Sequence, residues 1–159
     1  MRNMLKILAV SMLLLVPIFH VQSAFAKEIA VLLPVTGPLT PYEKAELTKQ
    51  TVDGLSVKFE LKHGEEVDLV VKQAFQEESK KQDCDETNCY RRIAARYHAE
   101  KIVAMRVVMV KAGHYLAALQ IYDVMTGEMT VSQKRECKDC SFEVLKALCK
   151  ELASQASKV

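Results

Sequence analysis

One segment limits the possible folds of this chain more than any other. Residues 101–111 read KIVAMRVVMVK and are apolar on both faces of an extended strand, with Arg106 as the exception. A strand of this kind is typical of a sheet that is covered on both faces. The segment therefore predicts a central strand in a covered sheet.

Two short segments near the beginning of the chain predict further strands. Residues 27–34 form an apolar run rich in Ile, Val and Leu that ends in a proline. Residues 56–63 alternate apolar Val57, Phe59 and Leu61 with charged residues, which is typical of a strand with one wet face.

Two hairpins are expected after the central strand. Ala112-Gly113 and Thr126-Gly127 are turn dipeptides, and they separate strands predicted over residues 114–125 and 128–136. The last of these strands is the more polar, so we expect it at an edge of the sheet.

Four segments have the features of helices. Thr40, followed by a proline, begins the first helix, and Gly54 is expected to weaken its end. Residues 65–81 form the clearest amphipathic helix, Asp85 caps a third, and residues 142–154 form the last. In the second and last helices the apolar positions expected to face the core are Val67, Val70, Val71, Ala74, Phe75, Val144, Leu145, Leu148 and Leu152.

The predicted element order is β-α-β-α-α-β-β-β-α. Two βα units followed by an antiparallel meander indicate an α/β (α+β) domain with one mixed sheet of about five strands and helices packed on it. The 159 residues, of which 50% are apolar, suffice for one core of moderate size. We therefore expect a single domain over residues 27–159.

The first 26 residues have the parts of a secretory signal peptide. Two basic residues precede an apolar run over 8–19, and Ala24 and Ala26 supply the small residues of a cleavage site. The run is shorter than the roughly 20 residues of a comfortable membrane span. We expect cleavage after Ala26, a periplasmic location and no stable membrane span afterwards; an uncleaved anchor is the alternative. The formal charge of +2 leaves with the leader, so nothing indicates a nucleic acid partner.

Five cysteines lie after the leader, and an oxidising compartment favours disulfides among them. The disulfide candidates are the two local pairs, Cys84 with Cys89 and Cys137 with Cys140. Cys149 is expected to be a small buried hydrophobe, or else to pair with a distant cysteine. Two alternatives for the four paired cysteines are a redox-active Cys137-Lys138-Asp139-Cys140 motif and a four-thiolate zinc site.

No constellation of residues indicates an enzyme. The sequence has no G-x-S-x-G, no GxxxxGK[ST] and no GxGxxG, so neither a hydrolase triad nor a nucleotide site is supported. We assign no catalytic residue, no metal ligand and no cofactor. Arg106 has two interpretations: it binds an anion or a partner carboxylate, or it snorkels from a partly covered face.

Several motifs together resemble a known group of exported proteins. They are the strand at 29–34 (IAVLLP), the cysteine-flanked block at 83–89, and the segments 92–95 and 99–103, together with the hairpin that ends Tyr122-Asp123-Val124-Met125-Thr126-Gly127. This pattern resembles the α/β modules related to the amino-terminal domain of TolB and to the curli-secretion protein CsgG. The resemblance covers roughly residues 28–155, and Asp123 and Gly127 are markers of a turn within it.

The resemblance implies a periplasmic accessory protein that binds other proteins of the envelope and shares no catalytic residues. We therefore expect an exported, non-enzymatic protein whose partner is another envelope protein. The alternative function is a thiol–disulfide or metal-binding periplasmic protein that uses Cys137 and Cys140.

Overall fold

The computed structural model describes residues 26–80 and 85–159, and it has the predicted order of elements. Over these residues the elements are β1 (Glu28–Leu32), α1 (Pro41–Leu55), β2 (Phe59–Lys62), α2 (Glu65–Glu78), α3 (Glu86–Tyr97), β3 (Lys101–Lys111), β4 (His114–Asp123), β5 (Met129–Cys137) and α4 (Phe142–Ala156). The two cleavage-site positions fall at the margin of this range: Ala26 is its first residue, and Ala24 lies outside it.

The five strands form one mixed sheet in the order β2-β1-β3-β4-β5. Strands β2, β1 and β3 run parallel, whereas β3, β4 and β5 form an antiparallel meander. The central position of β3 and the edge position of β5 are confirmed, as is the mixed α+β class.

Helices pack on both faces of the sheet and bury two separate cores. Helices α1 and α4 cover one face, which we call the α1–α4 face, and α2 and α3 lie against the other, the α2–α3 face. The first core contains Leu32, Leu47, Met105, Leu119, Ile121, Leu145 and Leu152. The second contains Val31, Leu33, Val67, Ala74, Ile93 and Ile102.

The predicted helix starts are confirmed by their capping bonds. The Thr40 backbone N–H donates to the Glu43 carboxylate at 2.8 Å, and the Glu43 N–H donates back to the Thr40 hydroxyl at 3.2 Å. This reciprocal arrangement is a capping box. At α3, the Asp85 carboxylate accepts from the Thr87 N–H at 2.9 Å.

The turn between β4 and β5 has the conformation that its sequence indicates. The Asp123 carboxylate accepts from the Thr126 N–H at 2.8 Å, and Gly127 has φ of 72°. Lys101 forms an ion pair with the same carboxylate at 2.6 Å. Its ammonium is the main reason that the pKa of Asp123 falls to about 2.

Some predicted boundaries and buried positions are wrong. Strand β2 begins at Phe59, because the chain leaving α1 first turns, with the Lys58 N–H donating to the Leu55 carbonyl at 3.0 Å. Val57 is consequently 78% exposed. Val144 is 52% exposed, because the buried stripe of α4 runs through Leu145, Cys149, Leu152 and Ala156.

The predicted coverage of β3 is correct for only part of its length. Ile102, Val103, Met105 and Val107 are buried, but residues 108–110 are all exposed. The cause is the position of α2 and α3, which contact β1 and the beginning of β3 and leave the far half of the α2–α3 face uncovered.

Candidate functional site

The uncovered half of the α2–α3 face is the candidate functional site. Alternate residues of β3, β4 and β5 point away from the α1–α4 core, and no helix of the described residues packs over them. We call this surface the open face; its residues are Arg106, Val108, Leu116, Ala118, Gln120, Ser132, Lys134 and Glu136.

The strand register arranges the open face in rows across three strands. Arg106 pairs with Ala118, which in turn pairs with Lys134. In the next row Val108 pairs with Leu116. The small Ala118 side chain therefore lies between two long cationic side chains, next to an aliphatic pair. This arrangement suits an acidic side chain inserted over Ala118.

A line of aromatic rings forms the border between α3 and the open face. The Phe75 and Tyr90 ring centroids are 6.3 Å apart, and those of Tyr90 and Tyr122 are 5.0 Å apart. The Tyr90 hydroxyl donates to the Glu86 carboxylate. Burial raises the pKa of both tyrosines, and the positive charge of Arg106 partly offsets this rise by lowering both pKa values. Both hydroxyls therefore remain protonated donors at neutral pH.

The open face and its border combine residue types that are enriched at protein interfaces with others that are depleted there, namely Ala118, Ser132, Lys134 and Glu136. Arginine, tyrosine and methionine are enriched at interfaces, whereas scattered single hydrophobes on a surface carry no such meaning. Arg106, Tyr122 and Val108 lie on or beside the same surface, and Met129 extends it along β5, with its sulfur 3.6 Å from the Gln120 amide nitrogen.

A disulfide joins Cys137 and Cys140 at the end of β5. Their Cα atoms are 5.5 Å apart, and the two residues are only 7% and 8% exposed. The Cys140 N–H donates to the Gly113 carbonyl at 2.8 Å, and Asp139 turns the chain with φ of 50°. The bond closes the turn between β5 and α4 against the α1–α4 core, away from the open face.

Two further cysteines, Cys149 and Cys89, are buried among the described residues. Cys149 is fully buried in the α1–α4 core, and burial raises the pKa of its thiol to about 12. Cys89 is buried on α3, with its sulfur 3.7 Å from the Ala74 carbonyl oxygen. Cys84 lies outside the described residues, so its pairing with Cys89 stays a prediction.

A metal site finds no support in the part of the chain that the structure describes. No group of three or more His, Cys, Asp or Glu residues there is placed to hold an ion. The zinc alternative needed the thiolates of Cys137 and Cys140, and these two sulfurs are bonded to each other.

Sequence reasoning identified Arg106 but missed the residues around it. The sequence places Leu116 in a strand and Tyr122 in the same strand and in the hairpin motif, without a binding role for either. Their strand does offer a signal, because the small Ala118 and the polar Gln120 lie between them on the same face, and such a mixture is typical of a face that is not packed in a core.

Comparison with known proteins shows the fold and no family. No protein-family model matches the sequence, and no curated protein matches it. Among solved structures, the hypothetical protein CT253 of Chlamydia trachomatis has a TM-score of 0.53 and 14% identity, covering 83% of this chain and 97% of that one. Lipoprotein GNA1162 of Neisseria meningitidis has a TM-score of 0.50 and 12% identity, covering 81% and 96%.

A TolB is also among the similar solved structures. TolB of Acinetobacter baumannii has a TM-score of 0.48 and 11% identity, covering 82% of this chain and 28% of that one. The likeness to CsgG stays a prediction. Within residues 26–80 and 85–159, no helix is both long enough and apolar enough to cross a membrane.

Proposed function

We propose that this protein is an exported, non-enzymatic accessory protein of the cell envelope, and that it binds another envelope protein through the open face. The mature chain begins at Lys27 and resides in the periplasm. The observation that carries the proposal is the half-covered sheet, which leaves Val108 44% exposed and Arg106 unburied beside an aromatic border.

Two further observations support an envelope protein. The leader at residues 1–26 has the features of an export signal. The similar structure GNA1162 is by its name a lipoprotein of a bacterium. A partner for the open face has an acidic side chain, because Arg106 and Lys134 flank Ala118 on neighbouring strands.

The thiol–disulfide alternative is weaker. An oxidoreductase needs an attackable disulfide, and a thiolate attacks only where it can reach a sulfur. Cys137 and Cys140 are both more than nine-tenths buried, and the neutral Cys149 thiol is held in the core behind them.

Site-specific photo-crosslinking in the native host tests the proposal. A photo-reactive amino acid replaces Val108 or Ser132 on the open face; in matched controls it replaces Val57 or Val144, which are also exposed but lie elsewhere. We expect a discrete cross-linked product of one size from the two open-face positions and none from the controls. When Arg106→Glu is combined with the photo-reactive residue at either open-face position, the product should disappear, because the reversed charge repels an acidic partner.

Two outcomes would contradict the proposal. One is a product of equal yield from Val57 and Val144, which would indicate unspecific collisions. The other is an Arg106→Glu product that is unchanged, which would show that the open face does not recognise the partner. A Lys158→Glu variant serves as the charge-matched control, since Lys158 is exposed at the end of the chain.

A further inference from the structure

A cavity of about 500 Å³ opens at the carboxyl ends of β1 and β2. It lies between α1 and the beginning of α2, and it is separate from the open face. Its volume falls within the range of about 300–1,000 Å³ that is usual for small-molecule sites. None of its lining residues takes part in the binding surface described above.

The topology explains why a crevice forms here. The chain leaves β1 through α1 to reach β2 on one side, and it leaves β2 through α2 and α3 to reach β3 on the other side. The two connections lie on opposite faces of the sheet. Ligands of open α/β sheets bind in crevices outside the carboxyl ends of the strands, and this cavity opens at the carboxyl ends of β1 and β2.

The floor of the cavity is apolar. Leu33 and Val35 follow β1, and Val52 and Ala45 project from α1 into the same space. Ala45 is exposed although its neighbours on the helix line a concave surface, so room remains above it. Binding of a hydrocarbon group is favourable on such a surface, because it removes apolar area from water.

The rim is cationic along α1. Lys44 and Lys49 lie at the two borders of the helix face that lines the cavity, and neither forms an ion pair within the described residues. The opposite wall is formed by Gly64, the residue before α2, and the first turn of that helix carries the acidic residues Glu65, Glu66 and Asp68. Asp68 is the one acidic residue of the lining, and its pKa is raised by burial and by Glu65.

We propose that this cavity binds an anionic single-chain amphiphile, with its hydrocarbon tail against Leu33, Val35 and Val52 and its carboxylate or phosphate held by Lys44 and Lys49. The ligand matches both halves of the site, because an apolar floor alone selects no charge and a lysine pair alone selects no tail. The inference concerns a different surface from the open face and does not depend on partner binding there.

Isothermal titration of the purified, exported protein tests the site. The probes share a twelve-carbon tail and are kept below their micelle-forming concentrations: dodecanoate, lauroyl lysophosphatidylglycerol and dodecyltrimethylammonium. We expect saturable binding of one anion per chain, with the cationic probe about tenfold weaker. A higher affinity for dodecanoate than for the lysolipid identifies a fatty acid as the ligand class. A higher affinity for the lysolipid identifies a ligand with a phosphate headgroup.

Two sets of variants separate the tail from the headgroup. Lys44→Gln combined with Lys49→Gln should weaken binding of the anions about tenfold and remove the difference in affinity between the anionic and cationic probes. Ala45→Trp should fill the cavity and abolish binding of all three probes. The matched controls are Lys111→Gln with Lys158→Gln, and Ala95→Trp, all at exposed positions outside the cavity.

The proposal is overturned if the cationic and anionic probes bind equally, if Ala45→Trp binds dodecanoate as the native protein does, or if no saturable binding occurs below the micelle range. An Arg106→Glu variant should bind dodecanoate normally. Loss of cross-linking at the open face and loss of amphiphile binding are therefore distinguishable results.

Discussion

Gly54 lies where helices α1 and α4 approach each other closely. A Cβ atom built on Gly54 would lie 2.5 Å from the Cβ of Ala153 and 2.8 Å from the carbonyl oxygen of Lys150. Real Cβ atoms do not occupy such positions, so any larger residue at 54 has to push the two helices apart. The glycine is thus required by packing between helices, and α1 ends one residue after it, at Leu55.

Gly54→Val should therefore lower the free energy of unfolding by about 1–3 kcal/mol through overpacking, despite the better helix propensity of valine. The measurement is denaturant unfolding monitored by far-UV circular dichroism. Lys49→Val is the matched control, because it places the same side chain on an exposed position of α1. Equal stability of the two variants would show that α1 and α4 do not meet at Gly54.

Residues that act locally were predicted correctly from the sequence, and those that act over a distance were not. Thr40 and Asp85 cap helices through bonds to residues two or three positions away, so the pattern is readable in the sequence itself. Gly54 meets a helix that lies about a hundred residues later in the chain, and no local pattern encodes that contact.

Among the elements, the connection between β5 and α4 is tied down most firmly. The Cys137–Cys140 bond closes it, the Cys140 N–H donates to the Gly113 carbonyl in the β3–β4 turn, and the Ser141 hydroxyl accepts from the Val144 N–H to cap α4. These contacts fix the last strand and the last helix to the meander. They indicate a structural role for the disulfide.

Cys137→Ala combined with Cys140→Ala should reduce the free energy of unfolding by about 1–3 kcal/mol, in the lower part of the range for disulfides because the closed loop is short. Cross-linking from the open face should be unaffected, since the bond lies against the opposite core. Cys149→Ala, which leaves the bond intact, is the control for removing a cysteine. Turnover by the native protein in an insulin-reduction assay would instead establish a redox function.

Element order and the central strand were predictable because each helix and strand carries its own hydrophobic period. The limits of β2 were not, because Val57 continues the alternation of Phe59 and Leu61 although the backbone at 57 is still turning. Alternation reports which side chains share a face; it does not report whether the strand has begun to pair.

For the whole molecule, the two faces of the sheet differ in how far helices cover them. The α1–α4 face is packed from β2 to β5, whereas the α2–α3 face is packed over β1, the beginning of β3 and the end of β4. The apolar run at 107–110 looked like a buried strand in the sequence, because apolar residues are needed equally to pack against the chain's own helices and to pack against a partner. Hydrophobicity alone does not separate these two cases.

Neighbouring residues of β3 test this asymmetry. Val107 is 1% exposed in the α1–α4 core, so Val107→Asp buries an unpaired charge and should remove at least about 4 kcal/mol, a large part of the roughly 5–15 kcal/mol that stabilise a typical domain. Val108 points to the open face, so Val108→Asp should change the unfolding free energy by less than about 1 kcal/mol. The measurement is the melting temperature of each purified variant together with its yield of soluble protein.

Because the same substitution is made one position apart in the same strand, strand propensity and charge are matched and only the face differs. A Val107→Asp variant that melts with the native protein would place Val107 outside the core, and a Val108→Asp variant that unfolds as Val107→Asp does would show that the open face is covered.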